Sequence, residues 1–312
     1  MGKSYLDLVR LGENQWWRYC LGLVIILLFW FVVGGMLYLV PLSWGAFTLY
    51  SSDVLSAGLD VLAIEGFIEL APPIVLFTAT FLTFVPLLIG IWAAVRLIHQ
   101  RPLRTLVTPA PEVNWNRVVQ GFLLFGALLA VATGVEALLY PGRYEFVLDV
   151  GRFWPFLFVG LILIPVQTAS EELLFRGYWL QGLSLLVKTP LLLCIVSGLL
   201  FALPHLANPE LQAGFWLVAP QYFIVGFALS FITLKDNGLE LALGVHTVNN
   251  LFVGLLVSFP DSAIQSETVF FSSTLDPLFS LISVVVVYAV FYLVMFPPGR
   301  IPPAVPVDAA RG

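Results

Sequence analysis

The sequence predicts an all-α polytopic membrane protein of about eight transmembrane helices, with both termini inside. Three observations predict it. Charged residues are 11 % of the 312-residue chain and hydrophobic residues 60 %, whereas about a quarter of an ordinary soluble domain is charged. The apolar residues gather in eight nearly charge-free windows, each close to the length of about 20 residues that a bilayer core demands. The fourteen Lys and Arg residues divide twelve to two between alternate connecting segments, the positive-inside pattern of a chain with an even number of spans. Helices are the default, because in lipid every backbone group must find its hydrogen bond within the chain. No stretch shows the alternation of a membrane β-barrel.

The windows are Cys20–Leu42, Leu70–Val95, Val118–Tyr140, Phe153–Ser170, Thr189–Pro204, Leu211–Leu234, Leu241–Pro260 and Pro277–Pro298. The first is too long for a cleaved signal peptide and lacks a small-residue cleavage site. Between the first two lies an outer loop, Ser43 to Glu69, with Asp53, Asp60, Glu65 and Glu69 and no cation; its apolar spacing suits an interfacial helix. The basic loop His99 to Arg117 reads as a topogenic inner loop, with His99 an interfacial histidine without chemistry. Glu136, near the outer end of the third window, reads as a carboxylate that snorkels to the interface. Residues 1–150 thus form three helices and an acidic outer loop. Residues 151–260 form a core of helices four to seven, 261–298 an outer loop and helix eight, and 299–312 a disordered, proline-rich cytoplasmic tail.

Several function classes are excluded. Cys20 and Cys194 both fall in predicted spans and give no disulfide framework. The net charge of -5 reflects acidic outer loops, so no nucleic-acid partner is expected. The partners implied are the lipid bilayer and whatever enters it. No internal repeat supports an inverted-repeat transporter.

Three polar motifs interrupt the apolar core. Thr168 to Trp179 reads TASEELLFRGYW and carries Glu171, Glu172 and Arg176. An ionised side chain at the bilayer centre costs about 2.5–3.5 kcal/mol. Glu172 and Arg176, four apart on a helix, can pair. Glu171 points about 100° away and has no local partner, which makes it a candidate general base. The alternative is that both Glu border the membrane and face the cytosol. FALPHLAN places Phe201 and His205 on one face, and GVHTVNNLF does the same for His246 and Asn250.

Depth relates the three motifs. Glu171 lies 17 residues before Lys188 and His205 lies 17 after it. A helical hairpin turning there puts both about 25 Å from the turn. If that hairpin projects beyond the membrane, His246 comes level as well. One pocket in the inner half of the membrane then holds Glu171, His205, His246 and Asn250. A carboxylate with two imidazoles activates a water, and Asn250 and His246 suit a developing oxyanion. Neither histidine has a Ser or Cys on its face within one turn, which disfavours a covalent mechanism. The set reads as peptide hydrolysis inside the membrane.

Together, EELLFR (EExxxR), FALPH (FxxxH) and HTVNN (HxxxN) resemble the CAAX prenyl protease and bacteriocin-processing family (Abi, or CPBP), which includes the type II CAAX endopeptidases. The resemblance covers about Phe153 to Ser258. It implies an eight-helix fold with the site built from spans four, five and seven. It implies Glu171 as the base, His205 sharing its water, His246 and Asn250 as oxyanion donors, and Glu172, Arg176 and Phe201 in support. The family is often called a metalloprotease, and Glu171, His205 and His246 have the ligand types of a catalytic zinc site. A divalent metal such as zinc and a metal-free, glutamate-activated water both remain open, with the second favoured. The implied substrate is a peptide or membrane-protein segment, a lipidated C-terminus among them, and the implied location is a bacterial inner membrane. The competing readings are a non-catalytic scaffold or bacteriocin-immunity factor using the same cleft, and a small transporter with a proton relay.

Overall fold

The computed structural model describes residues 4–50 and 71–298. Eight apolar helices dominate it: α1 (Trp16–Trp44), α2 (Pro73–Ile98), α3 (Trp115–Leu139), α4 (Val150–Leu183), α5 (Pro190–His205), α6 (Phe215–Asp236), α7 (Glu240–Leu256) and α8 (Pro277–Met295). Each of the eight windows has its helix. Six are long and apolar enough to cross a membrane, whereas α5 and α7 are shorter. With 16 residues, α5 is about 24 Å long, against about 30 Å of hydrocarbon. Both short helices carry candidate site residues. Most of the expected acidic outer helix within 43–69, and the tail 299–312, lie outside the described residues.

Local sequence sets the helix ends. Asn114, Asp149 and Asp276 cap α3, α4 and α8, each side chain accepting from backbone N–H groups of the first turn, which otherwise lack partners. α4 turns at Val187–Thr189 into α5, which opens with Pro190 at its first position. This is the expected hairpin. Asn237, in a left-handed conformation, closes α6 and turns the chain into α7.

Two close crossings seat the second and third motif helices against their neighbours. α7 packs on α3 so tightly that a Cβ on Gly244 would fall on the Val118 carbonyl and the Phe122 amide. α5 and α6 meet at Gly198 and Gly226, where a Cβ on Gly226 would stand 2.9 Å from the Gly198 Cα. Nearby, Ser230 Oγ donates to Ser197 Oγ at 2.8 Å. Small residues at such crossings are the usual means of close packing in lipid, where helices gain nothing from further hydrophobic burial.

Two features add to the all-α frame. Short strands β1 (Tyr144–Phe146), β2 (Val257–Ser258) and β3 (Phe270–Ser272) form a sheet in the order β1-β3-β2, antiparallel then parallel. It covers the end of the bundle where α3 and α7 finish and α8 begins. At the opposite end a 3-10 helix, Tyr5–Leu11, buries Tyr5, Leu8 and Val9. Tyr5 Oη donates to the carbonyls of Leu106 (2.6 Å) and Arg176 (3.1 Å).

The packing corrects the interfacial reading of His99 and adds partners to Arg101 and Glu136. His99 is buried, with Nδ1 2.8 Å from the Glu13 carbonyl and Nε2 3.0 Å from Tyr178 Oη. Arg101, from the same basic loop, is also buried and donates to Gln181 Oε1 at 2.8 Å. Glu136 accepts from Arg143 at 2.6 Å and from Tyr144 Oη at 2.5 Å. In each case a partner distant in sequence, or on a following loop, engages the polar group.

Candidate active site

α4 changes its winding at the first motif. It is α-helical through Glu172 and then π-helical from Leu173 to Trp179. π segments often occur at functional sites, although this chain also has them at Leu28–Val33 and Ala94–Ile98, away from the motifs. α7 does the same after the third motif, from Phe252 to Leu256.

Both carboxylates of the first motif are inside the protein. Glu172 is fully buried and Glu171 is 6 % exposed, so the border position facing cytosol is excluded. Arg176, also fully buried, donates to Glu172 Oε1 at 2.7 Å and to the Gly226 carbonyl at 3.1 Å. The tight Gly198–Gly226 crossing is what exposes that carbonyl to it. The guanidinium lies 4.4 Å from the centre of the Phe201 ring, a cation–π contact in a dry place.

Glu172 Oε1 has a second partner, His246 Nδ1 at 2.8 Å. A carboxylate oxygen accepts, so Nδ1 carries the proton. This turns Nε2 toward Glu171, whose Oε2 stands 3.5 Å away. That Oε2 is sealed and has no hydrogen bond. Glu171 therefore meets the third motif without being neutralised by it, as a base requires.

The second motif forms the adjoining wall. His205 Nδ1 is 2.7 Å from its own Phe201 carbonyl, which leaves Nε2 for the cavity. Its ring is sandwiched between Phe201, at 4.5 Å, and Tyr222, at 4.6 Å. Phe201 also meets the edge of His246 at 5.8 Å. Asn250 Nδ2 donates to Gln167 Oε1 at 2.9 Å. Glu171, Phe201, His205, His246 and Asn250 all line one cavity of about 480 Å³. Glu172 and Arg176 stand behind it.

Sequence reasoning missed four residues here. Gln167 and Tyr222 line the cavity, as do Asn208 and Glu210. Glu210 accepts from Tyr222 Oη and from the Ala263 amide, the latter at 3.0 Å. It braces the ring on which His205 stacks. Only Gln167 had a signal, since it precedes Glu171 by one turn on the same helix face.

The zinc option loses geometric support. No three His, Cys, Asp or Glu side chains are placed to hold one ion among the described residues. His246 Nδ1 and His205 Nδ1 are engaged by Glu172 and the Phe201 carbonyl, which leaves each Nε2 free, an orientation that metal-ligating histidines also adopt. Glu171, His205 and His246 do not form a ligand set as they stand.

Known proteins bear on this geometry. A family model described as Type II CAAX prenyl endopeptidase Rce1-like matches residues 152–252, the stretch that holds all three motifs. The chain is 32 % identical over 254 residues to Uncharacterized protein YyaK of Bacillus subtilis (strain 168), covering 80 % of this chain and 81 % of that protein. No solved structure matches. With its apolar helices, its three motifs on one cavity and this relative over most of its length, the chain is an integral membrane protein that belongs to the Rce1-like, type II CAAX prenyl endopeptidase family.

Proposed function

We propose that the protein is an intramembrane endopeptidase that hydrolyses a peptide bond near the inner face of the membrane, with water activated by Glu171. One observation carries this most. Glu171 lines a cavity that His205, His246 and Asn250 also line, and with its Oε2 sealed against His246 its other oxygen, Oε1, is the one open to that cavity and without a protein partner among the described residues.

Each residue then has a role. Glu171 takes a proton from the water as the water oxygen bonds to the scissile carbonyl carbon. It returns that proton to the leaving amine. His205, its ring fixed by Phe201 and Tyr222, holds the same water through Nε2. Asn250 Nδ2 donates to the carbonyl oxygen as it becomes an oxyanion; His246, whose proton sits on Nδ1, offers no donor at Nε2 and stands beside Glu171 instead of serving as the expected second oxyanion donor. Glu172 and Arg176 touch no substrate; they fix the His246 ring and its tautomer.

The finer topology belongs to the same reading. α5 and α7 complete eight spans, with both termini inside a bacterial inner membrane, supported by the twelve-to-two division of Lys and Arg. The mostly apolar cavity suits a peptide or membrane-protein segment, a lipidated C-terminus included.

The test compares protein termini in membranes holding equal amounts of the wild type and Glu171→Gln. New termini that require Glu171 support hydrolysis and reveal the cleavage sequence. Identical termini from two folded, equally abundant proteins contradict it and favour a binding scaffold.

A further inference from the structure

Gln167 is used by nothing described so far except Asn250. It lies one turn before Glu171 on α4, so the two share a face. Its side chain is 6 % exposed and lines the cavity. Asn250 Nδ2 donates to Gln167 Oε1 at 2.9 Å, and Asn249 Nδ2 donates to Asn250 Oδ1 at 3.1 Å. Three carboxamides thus form a chain with one direction, Asn249 to Asn250 to Gln167. Reversing all three amides together would satisfy the chain equally, and in either direction Gln167 Nε2 keeps at least one N–H without a partner in it. The chain ends on Gln167 Nε2, which has no hydrogen-bond partner among the described residues and is not sealed from the cavity.

A carboxamide so deeply set normally satisfies both its groups. Here the acceptor is used and two donors are left over. They stand on the helix of the proposed base and next to the Asn250 amide. The charge type also fits. A Lys or Arg at this place would pair with Glu171 and suppress it as a base, whereas an amide donates without adding charge.

We propose that Gln167 is a further catalytic residue, whose Nε2 amide donates to the oxyanion of the tetrahedral intermediate together with Asn250. This rests on the endopeptidase reading above. In the step concerned, the water oxygen bonds to the carbonyl carbon, its proton passes to Glu171, and the carbonyl π pair moves onto the carbonyl oxygen. Gln167 gives up neither proton nor electrons. It stabilises the charge until the pair returns, the C–N bond breaks, and the amine takes the proton from Glu171. Asn250, held by Gln167 Oε1, keeps its second N–H for the same oxygen.

The experiment uses the full chain in detergent micelles. The probe is a quenched fluorogenic peptide built on the cleavage sequence found by comparing termini. Four proteins are assayed: wild type, Glu171→Gln, Gln167→Met and Gln167→Glu. Met keeps the length and removes both amide functions. Glu keeps the acceptor for Asn250 and removes the donor. The proposal predicts that both Gln167 variants lose kcat by about 10²-fold, as for loss of one oxyanion donor. KM should stay within about threefold and thermal unfolding within a few degrees of wild type. Retention of wild-type kcat by both variants overturns the proposal. So does loss in Gln167→Met with full activity in Gln167→Glu, which would leave Gln167 only holding Asn250. Those results leave the endopeptidase reading standing if Glu171→Gln is inactive. Full activity in Glu171→Gln overturns that reading and this proposal together.

Discussion

α4 carries two buried polar networks, and they are built on opposite terms. At the inner end expected from the charge pattern, Tyr5, His99, Arg101, Tyr178 and Gln181 meet around its last turns. The Tyr5 hydroxyl donates to two carbonyls, both His99 nitrogens are engaged, and Gln181 receives Arg101 while donating to the Thr105 carbonyl at 2.8 Å. One turn before this network, three buried atoms lack any partner: Glu171 Oε2, Glu172 Oε2 and Arg176 Nε. A saturated network makes an anchor. An unsaturated one keeps capacity for something else, at a cost in stability that the anchor helps to offset. The same helix is therefore held rigidly at one end so that it can present an unsatisfied carboxylate further along.

Mutations sharpen that contrast. The largest effect is expected at Glu171. Glu171→Gln preserves the shape and should lower peptide hydrolysis by at least about 10²–10⁴-fold, the usual loss on removing a general base, with little change in thermal unfolding. A Glu171→Gln protein that unfolds early would move this carboxylate into the anchoring class.

Next comes the ion pair behind the cavity. Arg176→Met leaves Glu172 charged and without its guanidinium in a fully buried place, which should cost about 3–5 kcal/mol. The double variant Glu172→Gln/Arg176→Met should recover part of that stability but not activity, because His246 loses the carboxylate that fixes its tautomer. Unfolding in detergent measures the first effect and a peptide assay the second. Full activity in the double variant would contradict the positioning role of Glu172.

In the anchor the order reverses. Tyr178→Phe strips His99 Nε2 of its partner and should cost about 1–3 kcal/mol, while kcat stays within about twofold. The smallest expected effect is one of pH. Burial holds the His99 imidazole below its ordinary value of 6.5, although the Glu13 carbonyl acts the other way. The folded protein thus prefers neutral His99, while the unfolded chain takes up a proton below about pH 6.5. The stability that depends on neutral His99 is present above that pH and is lost as pH falls below it. His99→Gln should flatten this part of the stability profile, and an unchanged profile would show that His99 is not its source.

The two networks also differed in how far they could be read from sequence. The network at the candidate active site announces itself, because charges in a chain with so few must be explained. The spacing of Glu172 and Arg176 gave their pair directly, and the hairpin at Lys188 put Glu171 and His205 on one cavity. The anchor was hidden. His99 and Arg101 look like ordinary residues of a basic loop until Tyr178 and Gln181 arrive from 80 residues away. Tyr222 and Glu210 were missed for the same reason: their purpose lies in stacking on His205 and in bracing that stack, which no periodicity records. The strands of two or three residues are too short to show alternation. The shortness of α7 was obscured because its hydrophobic window, Leu241–Pro260, runs on past the helix end at Leu256, whereas the window Thr189–Pro204 already matched the length of α5.

The most direct test of the account reconstitutes the purified wild type and Glu171→Gln in liposomes with the cleavable peptide in water enriched in oxygen-18. Mass spectrometry then reads the new C-terminus. The account predicts one oxygen-18 atom in that carboxylate with the wild type, and no product above background with Glu171→Gln, although both proteins are folded. Cleavage by Glu171→Gln at the wild-type rate would contradict it.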